Sequence, residues 1–211
     1  MKQPRVRLLY DRCVPSDHIE ATFQGVRSLE RFGVLVDRAA VIERAAVKPV
    51  KLGRYLRQII EERNSHPLDF KCWWIRLSDA FAIFPKDILG FGLLEEQLFI
   101  TDKQGKTEET VGVGRKEDLA LLSLFRFRGI LSTQLRLRAI EVAAKHEAGH
   151  LFKQGHCTEP NCVMQPKPVI SKDGLVESIL TRGDFCRECE TQIQTNVNLR
   201  HYELSHYSGL G

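Results

Sequence analysis

The chain has 211 residues, and 43% of them are hydrophobic, which suits one compact domain with a small appendage. Its formal net charge of +4 comes from 31 basic residues spread among 27 acidic ones without a long Lys/Arg block, so nucleic acid is not an expected partner. No run of 18 apolar residues occurs, and polar residues interrupt the apolar stretch near the N-terminus, which argues against a membrane span or secretion.

The six cysteines are unevenly distributed. Cys13 and Cys72 are isolated, whereas the other four lie within residues 157–189. In a chain for which no signal peptide is predicted, this distribution favours reduced thiols and a metal site over disulfides. We therefore expect a cytoplasmic protein.

The first third of the chain predicts alternating strands and helices. A strand is predicted at residues 6–10 and a helix at residues 15–32, where cap-like residues open the segment. A second strand is predicted at residues 34–36, followed by a helix that runs to about residue 64. The second helix is inferred from four apolar residues on one face: Leu52, Leu56, Ile59 and Ile60.

Further strands and two more helices are predicted in the rest of the chain. The strands are expected at residues 73–77, 98–101 and 121–127, with a turn at residues 102–105. The longest helix is predicted at residues 133–152, because five apolar residues share a face: Leu137, Ile140, Ala144, Ala148 and Leu151. A polar helix is predicted at residues 188–203. Strands separated by helices predict an α+β fold, in which helices cover an α/β-like mixed sheet.

The long helix ends in the sequence "HEAGHLFKQGHC", residues 146–157. His146 and His150 are four residues apart, so a helix can direct both imidazoles at one point, and Glu147 lies over the same edge. A zinc ion with three protein ligands lowers the pKa of a bound water to roughly 7 and needs a nearby carboxylate to take its proton. Glu147 is therefore the predicted general base.

His156 is the predicted third ligand of this catalytic zinc. It lies six residues beyond His150, about 600° of helical rotation, so the chain must turn back before it. With that turn the site matches the pattern HExxHxxGxxH, except that Lys153 occupies the glycine position. A non-glycine residue in the left-handed conformation costs about 1–2 kcal/mol, which a metal site can offset, and Gly155 is an alternative position for the break.

The four clustered cysteines predict a second zinc site. Four residues separate Cys157 from Cys162, and two separate Cys186 from Cys189, so two short loops can each present a thiolate pair to a tetrahedral zinc. Because all four positions are then filled by protein, this zinc is expected to be structural.

Together these motifs resemble the signature of the archaemetzincins, a branch of the metzincin metallopeptidases, which reads HExxHxxGxxHCx4CxM followed by CxxC. The sequence departs from it at Lys153, which replaces the signature glycine. It also has 21 residues between Met164 and Cys186 where the signature has about 17, which indicates a four-residue insertion within residues 165–185. The matching positions are His146, Glu147, His150, His156, Cys157, Cys162, Met164, Cys186 and Cys189.

The resemblance implies a zinc metallopeptidase that holds one catalytic and one structural Zn²⁺ and cleaves a peptide or protein substrate, with an aminopeptidase-like activity allowed. Met164 is implied to form the methionine turn beneath the catalytic zinc. The implied metzincin-like fold is one catalytic domain, with a mixed-sheet subdomain at residues 1–155 and a small zinc-stapled subdomain at residues 156–211. An edge strand that binds extended substrate is expected within residues 98–115.

Two other functions remain open from the sequence. In one, the chain is a zinc-stabilised binding protein whose hydrolytic site is idle, with Lys153 filling the cleft or offering its amine to an acidic partner. In the other, the cysteine cluster is a nucleic-acid-binding zinc ribbon, although the alternation of phenylalanine and arginine at residues 125–128 is explained more simply by a half-buried strand. The arginines concerned are Arg126, Arg128, Arg136 and Arg138. The sequence specifies neither the substrate nor the oligomeric state.

Overall fold

The computed structural model describes residues 3–11, 14–42, 68–69, 88–95, 98–101, 107–115, 119–166 and 182–207. The helix predicted to run to residue 64, the strand predicted at residues 73–77 and the turn at residues 102–105 lie outside the described residues, as do Cys13 and Cys72.

The described elements alternate between strands and helices before the chain ends in a long helix. In chain order they are β1 (Arg5–Asp11), α1 (Ser16–Arg27), a 3₁₀ helix (Glu30–Phe32), β2 (Leu35–Ile42), β3 (Leu68–Asp69), β4 (Ile88–Leu94), β5 (Leu98–Thr101), β6 (Thr107–Thr110), β7 (Gly112–Arg115), β8 (Leu119–Ser123), a second 3₁₀ helix (Phe125–Gly129), α2 (Thr133–Leu151) and α3 (Arg187–Tyr207).

A five-stranded sheet with the order β2-β1-β4-β8-β7 forms the centre of the fold. Its first four strands are parallel, and β7 pairs antiparallel with β8 at one edge. Every residue of β4 and β8 is buried, as expected for parallel strands that are covered on both faces. A second sheet has three short strands in the order β3-β5-β6.

Helices α1 and α2 pack closely against each other. A Cβ added to Gly25 of α1 would lie 2.3 Å from the carbonyl oxygen of Glu141, so only glycine permits this approach. The first turn of α2 is capped by Ser132, whose side chain accepts a hydrogen bond from the N–H of Leu135. The helix then contacts β7 and β8 through its buried face, which places its C-terminal turns beside the sheet edge.

The predicted α+β architecture, a mixed sheet with covering helices, is confirmed. The strands predicted at residues 6–10, 34–36 and 98–101 and the helices predicted at residues 133–152 and 188–203 are all present, with ends that differ by up to six residues.

The strand predicted at residues 121–127 is wrong beyond Ser123. The Ser123 hydroxyl accepts a hydrogen bond from the N–H of Phe125. The chain then forms a 3₁₀ helix, at the end of which the N–H of Ile130 donates a hydrogen bond to the Phe127 carbonyl. Phe127 is buried in the core. The alternation of phenylalanine and arginine therefore belongs to a 3₁₀ turn, in which residues three apart share a side, and not to a half-buried strand.

Strand β4 was not predicted from the sequence. Its segment, ILGFGLL, is apolar throughout and includes two glycines, so it lacks the period-2 alternation of a half-buried strand. Among the described residues, the helices are all too short or too polar to cross a membrane.

Candidate metal centre

The last turns of α2 present two histidines and a glutamate on one side of the helix. His146 is 3% exposed and Glu147 is 0% exposed, whereas His150 is half-buried. Polar side chains this deeply buried require polar partners or a ligand. The spacing of four residues brings the two imidazoles together, with 4.8 Å between ring centroids.

The chain turns at Lys153, two residues after the end of α2, in a backbone conformation that favours glycine. Lys153 has a φ of 58°, in the left-handed region. Its N–H donates to the carbonyl of His150 at 3.0 Å, and the N–H of Gln154 donates to the carbonyl of Gly149 at 3.3 Å. This pair of bonds forms a Schellman motif. Gly155 has no positive φ, so the alternative of a break at Gly155 is wrong.

The reversal after Lys153 returns His156 to the two helical histidines. Its ring centroid lies 5.3 Å from that of His146 and 5.1 Å from that of His150. One ring nitrogen from each of the three residues lies within 4.8 Å of the others. Because His156 is exposed, the cluster is accessible from solvent on that side.

Backbone carbonyls fix which nitrogen of each helical histidine faces the cluster. His146 Nδ1 lies 2.7 Å from the Val163 carbonyl oxygen, and His150 Nδ1 lies 2.6 Å from the Gln154 carbonyl oxygen. A carbonyl only accepts, so each Nδ1 carries the hydrogen and donates it. In the neutral rings both Nε2 atoms then present lone pairs, the form that binds metals.

The two Nε2 atoms are 3.2 Å apart. Two nitrogens bound tetrahedrally to zinc at about 2.0–2.1 Å are separated by about 3.4 Å. Lone pairs that face each other at this distance repel unless a cation lies between them. The histidine cluster therefore fits a catalytic zinc ion.

Glu147 lies against the first residue of the edge strand β7. A Cβ added to Gly112 would be 2.6 Å from both Cδ and Oε1 of Glu147. Only a glycine at this point of β7 leaves room for the carboxylate. Glu147 thus lies between the histidine-bearing helix and the sheet edge.

Met164 is fully buried and packs against α2. A Cβ added to Gly149 would lie 2.5 Å from the Met164 sulfur, so Gly149 permits this contact. The Met164 carbonyl accepts a hydrogen bond from the N–H of Cys157 at 2.9 Å, which joins the end of the histidine motif to the loop that carries Met164.

The four cysteines form a second cluster, whose first member, Cys157, directly follows His156 in the sequence. The Sγ atoms of Cys157 and Cys186 are 3.7 Å apart, as are those of Cys162 and Cys189. Thiolates bound tetrahedrally to zinc at about 2.3 Å are separated by about 3.8 Å. All four sulfurs lie within 4.8 Å of one another. The two donor sets therefore fit one catalytic and one structural zinc ion, as the sequence predicts.

The cysteine cluster is hydrogen-bonded by nearby backbone N–H groups. Glu159 donates to Cys157 Sγ at 3.3 Å, and Cys186 donates to Cys162 Sγ at 3.4 Å. Burial raises the pKa of Cys162 and of Cys189. Burial also acts on Cys186, but hydrogen bonds from the Cys189 backbone and from the neighbouring thiols outweigh it and lower the pKa of Cys186.

A charged network joins the helices around the two clusters. Asp184 accepts hydrogen bonds from both terminal nitrogens of Arg31, at 2.9 and 3.0 Å, and lies 3.6 Å from Nζ of Lys145. Burial by itself raises the pKa of Asp184. The N–H of Phe185 and the charges of Lys145 and Arg31 outweigh burial and hold that pKa below its ordinary value.

Lys153 lines a small cavity together with residues of α3. The cavity includes Leu199, Arg200 and Glu203, so nothing in this placement supports the hypothesis that Lys153 fills the substrate cleft. Two arginines of the hypothesised nucleic-acid surface form ion pairs, Arg128 with Glu95 and Arg138 with Glu141.

A family model and a relative of known family both match this chain in sequence. The sequence model of Peptidase family M54 matches residues 83–195. A relative from Methanopyrus kandleri, named archaemetzincin, is 34% identical over 64 residues, which are 30% of this chain and 34% of the relative. The aligned segment thus spans about a third of that relative.

Two archaemetzincins and one zinc-dependent peptidase of known structure are similar in fold to this protein over most of the chain. The archaemetzincin of Methanopyrus kandleri has a TM-score of 0.59 at 21% identity and covers 93% of this chain and 96% of its own. The archaemetzincin of Archaeoglobus fulgidus, complexed with malonate, has a TM-score of 0.57 at 17% identity, with coverage of 89% and 99%. A zinc-dependent peptidase from Methanocorpusculum labreanum has a TM-score of 0.53 at 19% identity, with the same coverage.

Proposed function

The chain belongs to peptidase family M54, the archaemetzincin family, and on this premise we propose that it is a zinc-dependent metallopeptidase that hydrolyses peptide bonds. The observation that carries the proposal is the geometry of the helical histidines. Their Nε2 atoms face each other at 3.2 Å while both Nδ1 atoms donate to carbonyls, an arrangement suited to a shared cation.

We assign the ligands of two zinc ions on the basis of donor chemistry. Three histidines leave one position of a tetrahedral zinc open, as in catalytic sites, whereas four thiolates close it, as in structural sites. The catalytic ligands are His146, His150 and His156, and the structural ligands are Cys157, Cys162, Cys186 and Cys189. When bound, the catalytic zinc supplies a Lewis acid that polarises the scissile carbonyl and lowers the pKa of a water molecule to roughly 7.

Glu147 acts as the general base and then as the general acid. Its carboxylate takes the proton of the attacking water and passes it to the amine that leaves. The carboxylate is held between α2 and Gly112 of β7, so it has little freedom to swing away from the reaction. Met164 packs beneath the histidines and supports α2 without binding the metal.

The substrate binds in an extended form along β7. Among the strands that the structure describes, β7 is the edge of the five-stranded sheet and pairs with β8 alone. An added strand can satisfy the hydrogen bonds of a sheet edge, which is a common mode of peptide recognition. The substrate-binding edge strand that the sequence predicts within residues 98–115 is therefore assigned to β7, Gly112–Arg115. Reduced thiol ligands suit a reducing compartment, so a cytoplasmic location is part of the proposal.

The proposal is tested by peptide hydrolysis with control of the metal. The purified protein is incubated with a mixture of unrelated peptides, and products are identified by mass spectrometry before chelation, after chelation and after zinc is restored. We expect cleavage that is lost on chelation and regained with zinc, and we expect His156→Ala to lose it throughout. Cleavage that persists in the chelated protein, or a zinc-loaded protein that cleaves none of the peptides, would contradict the proposal.

A further inference from the structure

Gln154 contacts one ligand from each of the two metal clusters. Its carbonyl oxygen lies 2.6 Å from Nδ1 of His150, and its side-chain Nε2 lies 3.3 Å from Sγ of Cys189. The residue is 5% exposed. It falls at a position that the family signature leaves unspecified, so the motif gives no reason for a glutamine there.

The orientation of the Gln154 amide follows from its second contact. The atom that faces Cys189 also lies 3.1 Å from the carbonyl oxygen of Gly155. A carbonyl can only accept, so this atom is the amide nitrogen, and Cys189 is the acceptor of its second hydrogen. An N–H donor stabilises a sulfur that is ionised, which is the form a zinc ligand takes.

Packing alone does not account for this buried glutamine. Its Oε1 atom is buried, and among the described residues it has no hydrogen-bond partner. An unpaired buried acceptor costs stability, and a methionine or leucine of similar volume would avoid that cost. The amide is thus explained better by its donor group than by the space it fills.

The backbone of Gln154 is also held in place. Its N–H donates to the Gly149 carbonyl at the end of α2, one turn beyond His146. A shift of the side chain therefore moves the same short segment that carries the carbonyl bonded to His150. A histidine's metal affinity depends on the partner of its other ring nitrogen, because that partner sets the tautomer and the ring orientation.

We propose that Gln154 is a positioning residue that couples the two zinc sites. In this arrangement a Cys189 thiolate anchors the amide, and the anchored residue holds the carbonyl that orients His150. Filling the cysteine site therefore strengthens zinc binding at the histidine site, and the converse holds by linkage. The inference rests on the two zinc ions of the proposed function, but it does not require peptidase activity.

The test compares Gln154→Met with a matched control in the full-length protein. Methionine keeps the volume but has no N–H. In the control, Gln194→Met, the lost amide belongs to a glutamine of α3 that donates to Phe32 and Asn198 and not to a zinc ligand. Zinc affinity of the histidine site is measured by chelator competition while the cysteine site stays loaded. Cobalt substitution identifies the cysteine site by its thiolate charge-transfer absorption.

We expect Gln154→Met to weaken zinc at the histidine site by about 10- to 100-fold, the range for partners of metal-binding histidines, and Gln194→Met to leave it unchanged. In a Cys189→Ser background the effect of Gln154→Met should become smaller, because the thiolate acceptor is gone. Equal affinity in Gln154→Met and wild type, or an equal loss in both backgrounds, would overturn the coupling. If Gln154→Met does not fold, Gln154→Asn, whose shorter amide cannot reach Cys189, is measured in the same way.

The outcomes separate this inference from the proposed function. A protein that binds both zinc ions and shows the coupling but cleaves no peptide retains the inference and loses the function. A protein that cleaves peptides with unchanged zinc affinity in Gln154→Met retains the function and loses the inference.

Discussion

At the scale of single residues, Lys153 lies two residues beyond the end of α2 and adopts a backbone conformation that favours glycine. Its φ of 58° costs about 1–2 kcal/mol for a residue with a Cβ. Replacing it by glycine also makes the unfolded chain more flexible, which offsets about half of the gain. We expect Lys153→Gly to raise the free energy of unfolding by about 0.5–1 kcal/mol, measured by urea denaturation of the zinc-loaded protein.

A matched control for this substitution is available at Asn161. Its φ is 65°, but asparagine tolerates the left-handed region better than lysine does. Asn161→Gly should therefore give a smaller gain. A Lys153→Gly protein that is less stable than wild type would show that the lysine side chain contributes more than its backbone strain costs.

Gly112 tests whether the position of Glu147 controls the reaction. In Gly112→Ala the new Cβ would lie 2.6 Å from the Glu147 carboxylate and 2.7 Å from the carbonyl oxygen of Leu121, so the carboxylate moves relative to β7. A displacement of about 1 Å at a reacting group can lower the rate about 100-fold, so we expect kcat/KM to fall by about that factor while zinc content stays at the wild-type value. Activity and elemental zinc are measured on the same preparation.

The control for Gly112→Ala is Gly155→Ala, in the same region of the molecule. A Cβ at Gly155 meets no atom within 4 Å, so kcat/KM should change little. Full activity in Gly112→Ala would remove Glu147 from the place that we assign to it.

The sequence predicts the roles of single residues where they depend on neighbours close in the chain. It misses them where they depend on contacts between distant segments. The histidine and cysteine clusters come from short spacings, and the structure brings their ligand atoms together. Gly112 and Gln154 have no comparable signal. Gly112 comes close to Glu147 only when β7 packs against α2 in the folded protein. Gln154 and Cys189, which are in contact, are 35 residues apart in the sequence.

At the scale of elements, Asp184 joins α2, the first 3₁₀ helix and the segment that leads into α3. Lys145, on α2, is 9% exposed and lies 3.6 Å from this carboxylate. Asp184→Ala leaves that buried ammonium without its carboxylate and also removes the acceptor of the Phe185 N–H. Because Asp184 itself is about half exposed, we expect a loss of only about 1–2 kcal/mol of unfolding free energy, measured by urea denaturation.

Two further variants show how much of the stability lost in Asp184→Ala comes from its charge and how much a simple exposed ion pair contributes. Asp184→Asn keeps an oxygen for the Phe185 N–H and removes only the charge, so its stability should fall between wild type and Asp184→Ala. Glu30→Gln, which breaks the exposed pair with Arg27, should cost no more than about 0.5 kcal/mol. An Asp184→Ala protein as stable as Glu30→Gln would mean that the network does not hold these elements together.

Elements were predicted well where their periodicity reflects one buried face. Helix α2 shows this, since four of its five predicted face residues are buried. Strand β4 is covered on both faces and has no such period, and residues 125–129 form a turn whose side-chain alternation imitates a strand. In both cases tertiary packing, and not local pattern, determines the element.

At the scale of the whole molecule, the division into residues 1–155 and 156–211 remains a prediction. The described residues of the C-terminal part, including Cys162, Met164, Phe185 and Ile193, belong to the same hydrophobic core as the sheet and α2. The structural zinc would therefore stabilise the core as a whole and not an appendage alone.

Metal removal tests this view of the core. The four cysteine sulfurs lie within 4.8 Å of one another, and chelation removes the zinc ion that they would share. The binding energy of a structural zinc site contributes directly to folding. We expect chelation to lower the free energy of unfolding by several kcal/mol, seen as a lower Tm by circular dichroism. The shift should be smaller in Cys186→Ser/Cys189→Ser, which lacks the structural site from the start. An unchanged Tm after complete zinc removal would contradict a structural role for the cysteine cluster.

The most direct measurement of the central claim is peptide hydrolysis by wild type and Glu147→Gln at equal zinc content. Glutamine keeps the size of the side chain and cannot take a proton, so metal binding should persist while hydrolysis falls by about 100- to 10,000-fold, the contribution typical of a general base. That result would establish zinc-dependent hydrolysis with Glu147 as the base. Wild-type rates in Glu147→Gln at the same zinc content would contradict it.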